Sequence, residues 1–122
     1  MAFPAVATIA PEAACLTLIN VYEVEPGKQD KLARTLAEAT ERTVRHQPGF
    51  LSVCIHRSLD GRRVANYAQW ASKEHFDRFM KQPETQAQLQ RFASLAKTVA
   101  PGLYVVDTVH AAPRSAAGAP EK

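Results

Sequence analysis

The sequence predicts an α+β domain, an antiparallel sheet with helices packed on one face, and three observations predict it. Apolar residues alternate with period two in four stretches and recur at helical spacing between them, in the order strand, helix, two strands, helices, strand. Asp60-Gly61 lies between two alternating runs and is the strongest short hairpin signal in the chain. A length of 122 residues, 46% of them hydrophobic, supports one buried core and is too short for two.

Residues 1–13 are rich in Ala and Pro without periodicity and read as a flexible N-terminal arm, placed to cover a partner subunit; the folded domain spans 14–111. The first strand, Cys15–Val24, puts Leu16, Leu18, Asn20 and Tyr22 on one face and Cys15, Thr17, Ile19 and Val21 on the other. Pro26-Gly27 breaks the chain, and residues 28–46 then carry Leu32, Leu36, Ala39, Thr43 and Val44 at helical spacing. Asp30 with Arg34, Glu38 with Arg42 and Glu41 with Arg45 stand four apart on the other side, a solvated face.

Pro48-Gly49 stops this helix, and Phe50–Leu59 and Arg62–Ala71 form the hairpin. A two-residue turn at Asp60-Gly61 sets Asn66 opposite Ile55, Ala68 opposite Val53 and Trp70 opposite Leu51, all on one face with Val64. The other face carries Ser52, Cys54, His56, Ala65, Tyr67 and Gln69, too polar for a core and too mixed for open solvent, which predicts a homodimer interface. Ser72 caps a short helix with Phe76, Phe79 and Met80 inward, and Pro83 starts a second with Leu89, Phe92, Leu95, Ala96 and Val99 inward. Pro101-Gly102 ends it, Leu103–Ala111 is a last strand with Val105 and Val109 on one side, and 112–122 is a flexible C-terminal tail.

This order reads as a split βαβ, ferredoxin-like topology, in which the first and third strands are central neighbours. Asn20 and Asn66 then both point between sheet and helices. A carboxamide on an apolar face costs roughly 1–3 kcal/mol unless it finds partners, so each amide has a structural partner or waits for a ligand. Two amides and the indole of Trp70 would line a mostly apolar pocket, as small-molecule sites require. The sheet would supply Tyr22, Leu51, Val53, Ile55 and Ala68 to its wall, and the helices Phe76, Phe79, Met80, Leu89 and Phe92. Two structural readings stay open beside this one: Trp70 as a large core side chain, and Asn66 bonded to Asn20 or to a helix end.

Composition and motifs exclude several classes. A net charge of +3 and a pI of 9.1 raise nucleic acid, but the basic residues are interleaved with acids and no aromatic-studded basic stripe exists. The third strand offers Ala65 and Tyr67 without the glycine of base-stacking RNA-binding sheets. No apolar run approaches the roughly 20 residues needed to cross a bilayer. The opening residues lack a secretory pattern, and Cys15 and Cys54 suit free thiols in a reducing compartment, so the expectation is cytoplasmic. GxGxxG, GxxxxGK[ST], GxSxG and HExxH are absent, and the four histidines are scattered, so no metal site is expected.

Pro48-Gly49-Phe50-Leu51-Ser52, His56-Arg57-Ser58-Leu59-Asp60-Gly61 and Asn66-Tyr67-Ala68-Gln69-Trp70 resemble the antibiotic biosynthesis monooxygenase (ABM) domain family, from about Leu16 to Val109. The resemblance implies a dimeric α+β barrel. It is nearest to small oxygenases of aromatic polyketide pathways that convert anthrones or naphthacenones to quinones with dioxygen and no cofactor. It implies catalytic roles for Asn66 and Trp70, and for Asn20 by likeness to members with a first-strand asparagine. The tyrosine of other members is replaced by Phe76 and their helical arginine by Gln90, beside Arg91, so the two-asparagine variant is favoured over a tyrosine-dependent proton route. An anthrone has an acidic C–H and an electron-rich enolate, so the protein need only favour deprotonation, hold the anion and exclude water. Donors from Asn20 and Asn66 to that oxyanion would each be worth about 3 kcal/mol in a dry site. The alternatives are a dimeric binding or cyclase module of the same fold, or haem degradation, against which stands a Pro83–Ala100 segment without histidine.

Overall fold

A computed structural model describes residues 5–10 and 15–113. The arm expected over 1–13 and the tail over 112–122 therefore lie outside the described residues except at 5–10 and 112–113, which carry neither helix nor strand. Strands β1 (Leu16–Glu23), β2 (Phe50–Arg57), β3 (Arg63–Trp70) and β4 (Thr98–Tyr104) form one antiparallel sheet in the order β2-β3-β1-β4. Helices α1 (Gln29–Arg42), α2 (Lys73–Met80) and α3 (Pro83–Ser94) cover one face, giving the ferredoxin-like α+β fold.

The period-two pattern decides which residues meet them. Tyr22, Val24 and Val64 pack with Leu32, Leu36 and Ala39 of α1 and Phe92 of α3 in one cluster, while Leu16, Ala68 and Trp70 pack with Phe76 of α2 in another. Ser72 caps α2 as expected, its Oγ accepting from the His75 N–H at 3.2 Å. The helix expected over 28–46 closes at Arg42, and Val44–His46 continues as one 3-10 turn. Of the three charge pairs, Glu41 with Arg45 forms at 3.3 Å, and Asp30 turns instead to Arg57 of β2 at 2.9 Å.

Three expectations are corrected. The hairpin loop is longer than two residues: Ser58 N–H still donates to Arg63 O, and only Gly61, at φ 77°, takes a positive φ. Asp60 has a negative φ, and its carboxylate accepts from Ser58 Oγ and Arg62 N–H within the loop. The loop lengthens by one residue on each side, so Ile55 still faces Asn66 and Val53 still faces Ala68. Nearer the start of β2 an irregularity between Phe50 and Ser52 brings Phe50, not Leu51, opposite Trp70, where the two rings meet edge to face at 5.8 Å. Leu51 is turned out and is 53% exposed.

The last strand is Thr98–Tyr104, not Leu103–Ala111, and Val99 belongs to it, not to a helix. Pro101-Gly102, read as a stop, sits inside it. An edge strand tolerates proline because one side of its backbone has no ladder to feed. Pairing begins where Lys97 N–H donates to Glu23 O at 2.6 Å, and then sets Val99, Pro101 and Leu103 opposite Tyr22, Asn20 and Leu18. Val105 and Val109 follow the strand and are exposed.

Candidate active site

β1 and β3 are neighbours in the register Asn20↔Asn66, so both amides stand side by side on the helix-covered face. Around them the structure leaves two hollows with shared walls. The outer one, with about 490 Å³ of room for water centres, lies between the inner face of β4 and the helices, walled by Val99, Pro101 and Leu103 on one side and by Phe76, Met80, Leu89 and Ala93 on the other. Leu18, Asn20 and Tyr22 line it too, and it is within the roughly 300–1,000 Å³ that small-molecule sites occupy. The inner chamber has about 60 Å³ of such room, enough for a few waters and no ring system. Asn66, Val53, Ala68, Trp70 and Phe79 line the inner chamber alone, with Thr40, Thr85 and Gln88 among the helix residues on it, whereas Asn20, Tyr22 and Leu89 face both hollows.

The polar geometry is specific. Asn20 Nδ2 donates to Tyr22 Oη at 3.2 Å, while Asn20 Oδ1 and Asn66 Oδ1 are buried and have no hydrogen-bond partner among the described residues. Among the described residues neither amide oxygen is spent on its neighbour or on main chain. Burial pushes the Tyr22 phenol up to about 12, so it stays protonated at neutral pH with its O–H free to donate. Among the described residues no carboxylate, histidine, lysine or arginine lines either hollow. No group of three His, Cys, Asp or Glu side chains gathers into a metal-binding set among the described residues.

Trp70 closes the inner chamber from within the aromatic cluster. Its ring stacks on Phe79 at 4.8 Å and 29° and meets Phe76 edge-on at 6.1 Å, so this indole face already has an aromatic partner. Tyr22, Val53, Ala68, Phe76, Phe79, Met80, Leu89 and Phe92 all line the inner chamber, and of these Tyr22, Phe76, Met80 and Leu89 line the outer hollow as well. Two expected residues line neither. Leu51 faces a surface groove with Ala5, Val6 and Ala7, moved there by the β2 irregularity. Ile55 keeps its register opposite Asn66 but lies under α1 beside Ala33, away from both hollows. Gln90 and Arg91 are exposed on α3 and line neither hollow.

Sequence reasoning missed Thr40, Thr85 and Gln88: helical spacing puts them beside the inward stripe, but residues of these types are equally at home on a solvated face. Thr40 follows Leu36 by one turn, and Thr85 and Gln88 share the stripe of Leu89 and Phe92. Gln88 Nε2 donates to Thr43 Oγ1 at 2.9 Å, which ties α3 to the end of α1 above the chamber.

No helix among the described residues is long and apolar enough to cross a membrane. Comparison with known proteins gives consistent results. The family profile described as antibiotic biosynthesis monooxygenase matches residues 15–91. Tetracenomycin-F1 monooxygenase of Streptomyces glaucescens is 41% identical over 91 residues, which is 75% of this chain and 81% of that protein. Among solved structures, the fold is similar to SnoaB, described as a cofactor-independent oxygenase from Streptomyces nogalater, at a TM-score of 0.70 and 23% identity, covering 80% of this chain and 97% of that one. It is similar also to the monooxygenase from ActVA-Orf6 of Streptomyces coelicolor, solved in complex with nanaomycin D, at a TM-score of 0.73 and 24% identity over 85% of this chain and 96% of that one. The profile match and the 41% identical relative together establish that this chain belongs to the antibiotic biosynthesis monooxygenase family.

Proposed function

We propose that this monooxygenase oxidises a polyphenolic anthrone-type aromatic polyketide to the corresponding quinone, with dioxygen as the only co-substrate and no cofactor. The observation that carries the reading is the pair of buried amide oxygens left without partners beside a hollow large enough for fused rings. Buried polar groups are hydrogen-bonded in the great majority of proteins, so two adjacent exceptions on one face call for a ligand. In the balanced reaction a ring CH2 and O2 give a ring C=O and water. The acidic C–H loses its proton, the enolate passes one electron to dioxygen, and the radical pair joins as a peroxide anion; this loses its remaining C–H hydrogen with the outer oxygen as hydroxide, leaving the carbonyl, and the hydroxide and the first proton make the water.

The chain's own groups supply what that sequence needs. Tyr22 donates its O–H to the developing oxyanion, in an orientation set by the Asn20 Nδ2 contact, and Asn66 stands beside Asn20 on the neighbouring strand, facing the inner chamber. Trp70, packed on Phe79, keeps bulk water from the far end. The flat rings lie in the outer hollow against Phe76, Met80 and Leu89, while Val53, Ala68 and Phe92 wall the inner chamber behind them. This reading includes a homodimer through the sheet face that the helices leave bare, and a cytoplasmic setting in which Cys15 and Cys54 remain thiols.

The test is turnover of 1,8-dihydroxy-9-anthrone by purified, chelator-treated protein under 18O2. One labelled oxygen in the quinone and no turnover under argon are expected. Quinone formed at the same rate without oxygen, or activity that vanishes with chelation and returns with a metal, would refute the assignment.

A further inference from the structure

We propose that the inner chamber holds a water molecule bridging Asn20 Oδ1 and Asn66 Oδ1, and that this water is the base that takes the substrate's proton. The inference rests on the oxygenase reading and supplies what that reading lacks, since an amide is no base and, among the described residues, no carboxylate or histidine lines either hollow.

Four observations converge on it. Directly opposed residues on neighbouring antiparallel strands have Cβ atoms about 4.5–5.5 Å apart, a span one water can bridge, and Asn20 and Asn66 are so opposed. Both free atoms are carbonyl oxygens, which only accept. The chamber is large enough for water and polar enough to keep it, with Thr40, Thr85 and Gln88 on the helix side. Asn20 and Tyr22 line both hollows while Asn66 lines only the inner one, so the bridged position lies at the junction, facing rings seated outside.

The orientation makes this water a base. With both O–H bonds committed to amide oxygens, it presents its lone pairs toward the substrate. The C–H electron pair stays on the substrate as the enolate, and the proton forms a third O–H on the water. The resulting cation is held by two carbonyl dipoles in a site that contains no other positive charge. When the peroxide anion later collapses, the hydroxide it releases, made of its outer oxygen and the remaining C–H hydrogen, takes the same proton, and the chamber water is restored. The division of labour is then one polar group per charge: the Tyr22 O–H for the oxyanion, the two Oδ1 atoms for the hydronium.

The test separates this step from oxygen chemistry. A crystal structure of the unaltered protein should show a water oxygen within about 2.7–3.2 Å of both Oδ1 atoms. An empty chamber, or a bromide ion seated there after soaking, would overturn the proposal, because an anion requires the amide N–H groups to face inward. Under argon in D2O the protein should catalyse deuterium exchange at the acidic carbon of the anthrone. Ala68→Val, which fills the chamber from β3 without touching the outer hollow, should lose the ordered water and at least tenfold of that exchange. Unchanged exchange in a folded Ala68→Val protein without the water would overturn it. Exchange without oxygen uptake in air would sink the oxygenase reading and leave the water standing, whereas oxygen uptake with a dry chamber would do the reverse.

Discussion

Asn66 separates stability from function at the scale of one side chain. Asn66 Oδ1 has no partner among the described side chains and main chain to lose, so Asn66→Leu, which swaps an amide and its water for buried apolar surface, should leave unfolding in urea unchanged or shift it toward greater stability, while oxygen uptake falls at least tenfold. A loss of stability beyond about 2 kcal/mol would mean that the amide is structural after all. Tyr22 gives the opposite signature. Below pH 10 its phenol is protonated in folded and unfolded chains alike, and its contribution is complete. Because burial raises the folded value to about 12 from 10.0, the unfolded chain alone ionises in between, and stability should fall by roughly 2–3 kcal/mol across that window. Equilibrium unfolding at stepped pH checks this, and Tyr22→Phe should flatten the decline. Asn20, Tyr22 and Asn66 were legible because alternation assigns each a face, and an amide on an apolar face is conspicuous. Thr85 and Gln88 were not, since such residues are ordinary on solvated helices and only the depth of the chamber makes them lining groups.

Turns and strand ends are where sequence pattern and structure part company. Gly27 and Gly49 both follow proline and both take positive φ, 84° and 83°, so the sequence treats them alike. Their surroundings differ. A Cβ on Gly27 would meet nothing within 4 Å, whereas one on Gly49 would fall 2.2 Å from the His75 ring, which α2 presses against the start of β2. Gly27→Ala should therefore cost about 1–2 kcal/mol from backbone alone. Gly49→Ala should cost visibly more and disturb the Phe50–Trp70 contact, as paired thermal unfolding and tryptophan fluorescence would show; equal costs would disprove the close packing. The same limit explains β4. Pro101-Gly102 carries a stop signal in any local reading, and only the free outer side of an edge strand lets it continue. Leu51 was misplaced for a related reason: one irregularity reverses which side a residue faces, and the attraction of Phe50 to Trp70 that accompanies it is a tertiary contact.

Topology survived these local errors because it follows from the order of elements and from the alternation that sorts each strand's faces. The outer hollow did not follow, since its far wall is β4, placed by pairing that begins at Lys97, and a strand beginning at Leu103 would leave no Val99 or Pro101 to form it. The same sorting of faces leaves a consequence for assembly. All three helices lie on the side of Tyr22, Asn20 and Val64, so Ile19, Val21, Ala65 and Tyr67 are only half-buried on the bare side, beside the Ser52 Oγ–Gln69 Oε1 bond at 2.9 Å. A sheet whose second face is mixed, with apolar side chains only half-buried, is served by a second layer, and in the proposed homodimer another copy of the same face would supply one with closed two-fold symmetry. A standard interface buries about 800 Å² per partner, which a four-stranded face can offer. Sedimentation at micromolar concentration should therefore give twice the 13.4 kDa chain mass. Tyr67→Asp would place an unpaired carboxylate in that layer, at several kcal/mol, and should raise the dissociation constant by about a hundredfold or more. Because Tyr67 lies on the face opposite both hollows, the separated chains should still protect the chamber water if the site is complete within one copy, and a single-chain mass for the unaltered protein would end the dimer proposal while leaving the site untouched.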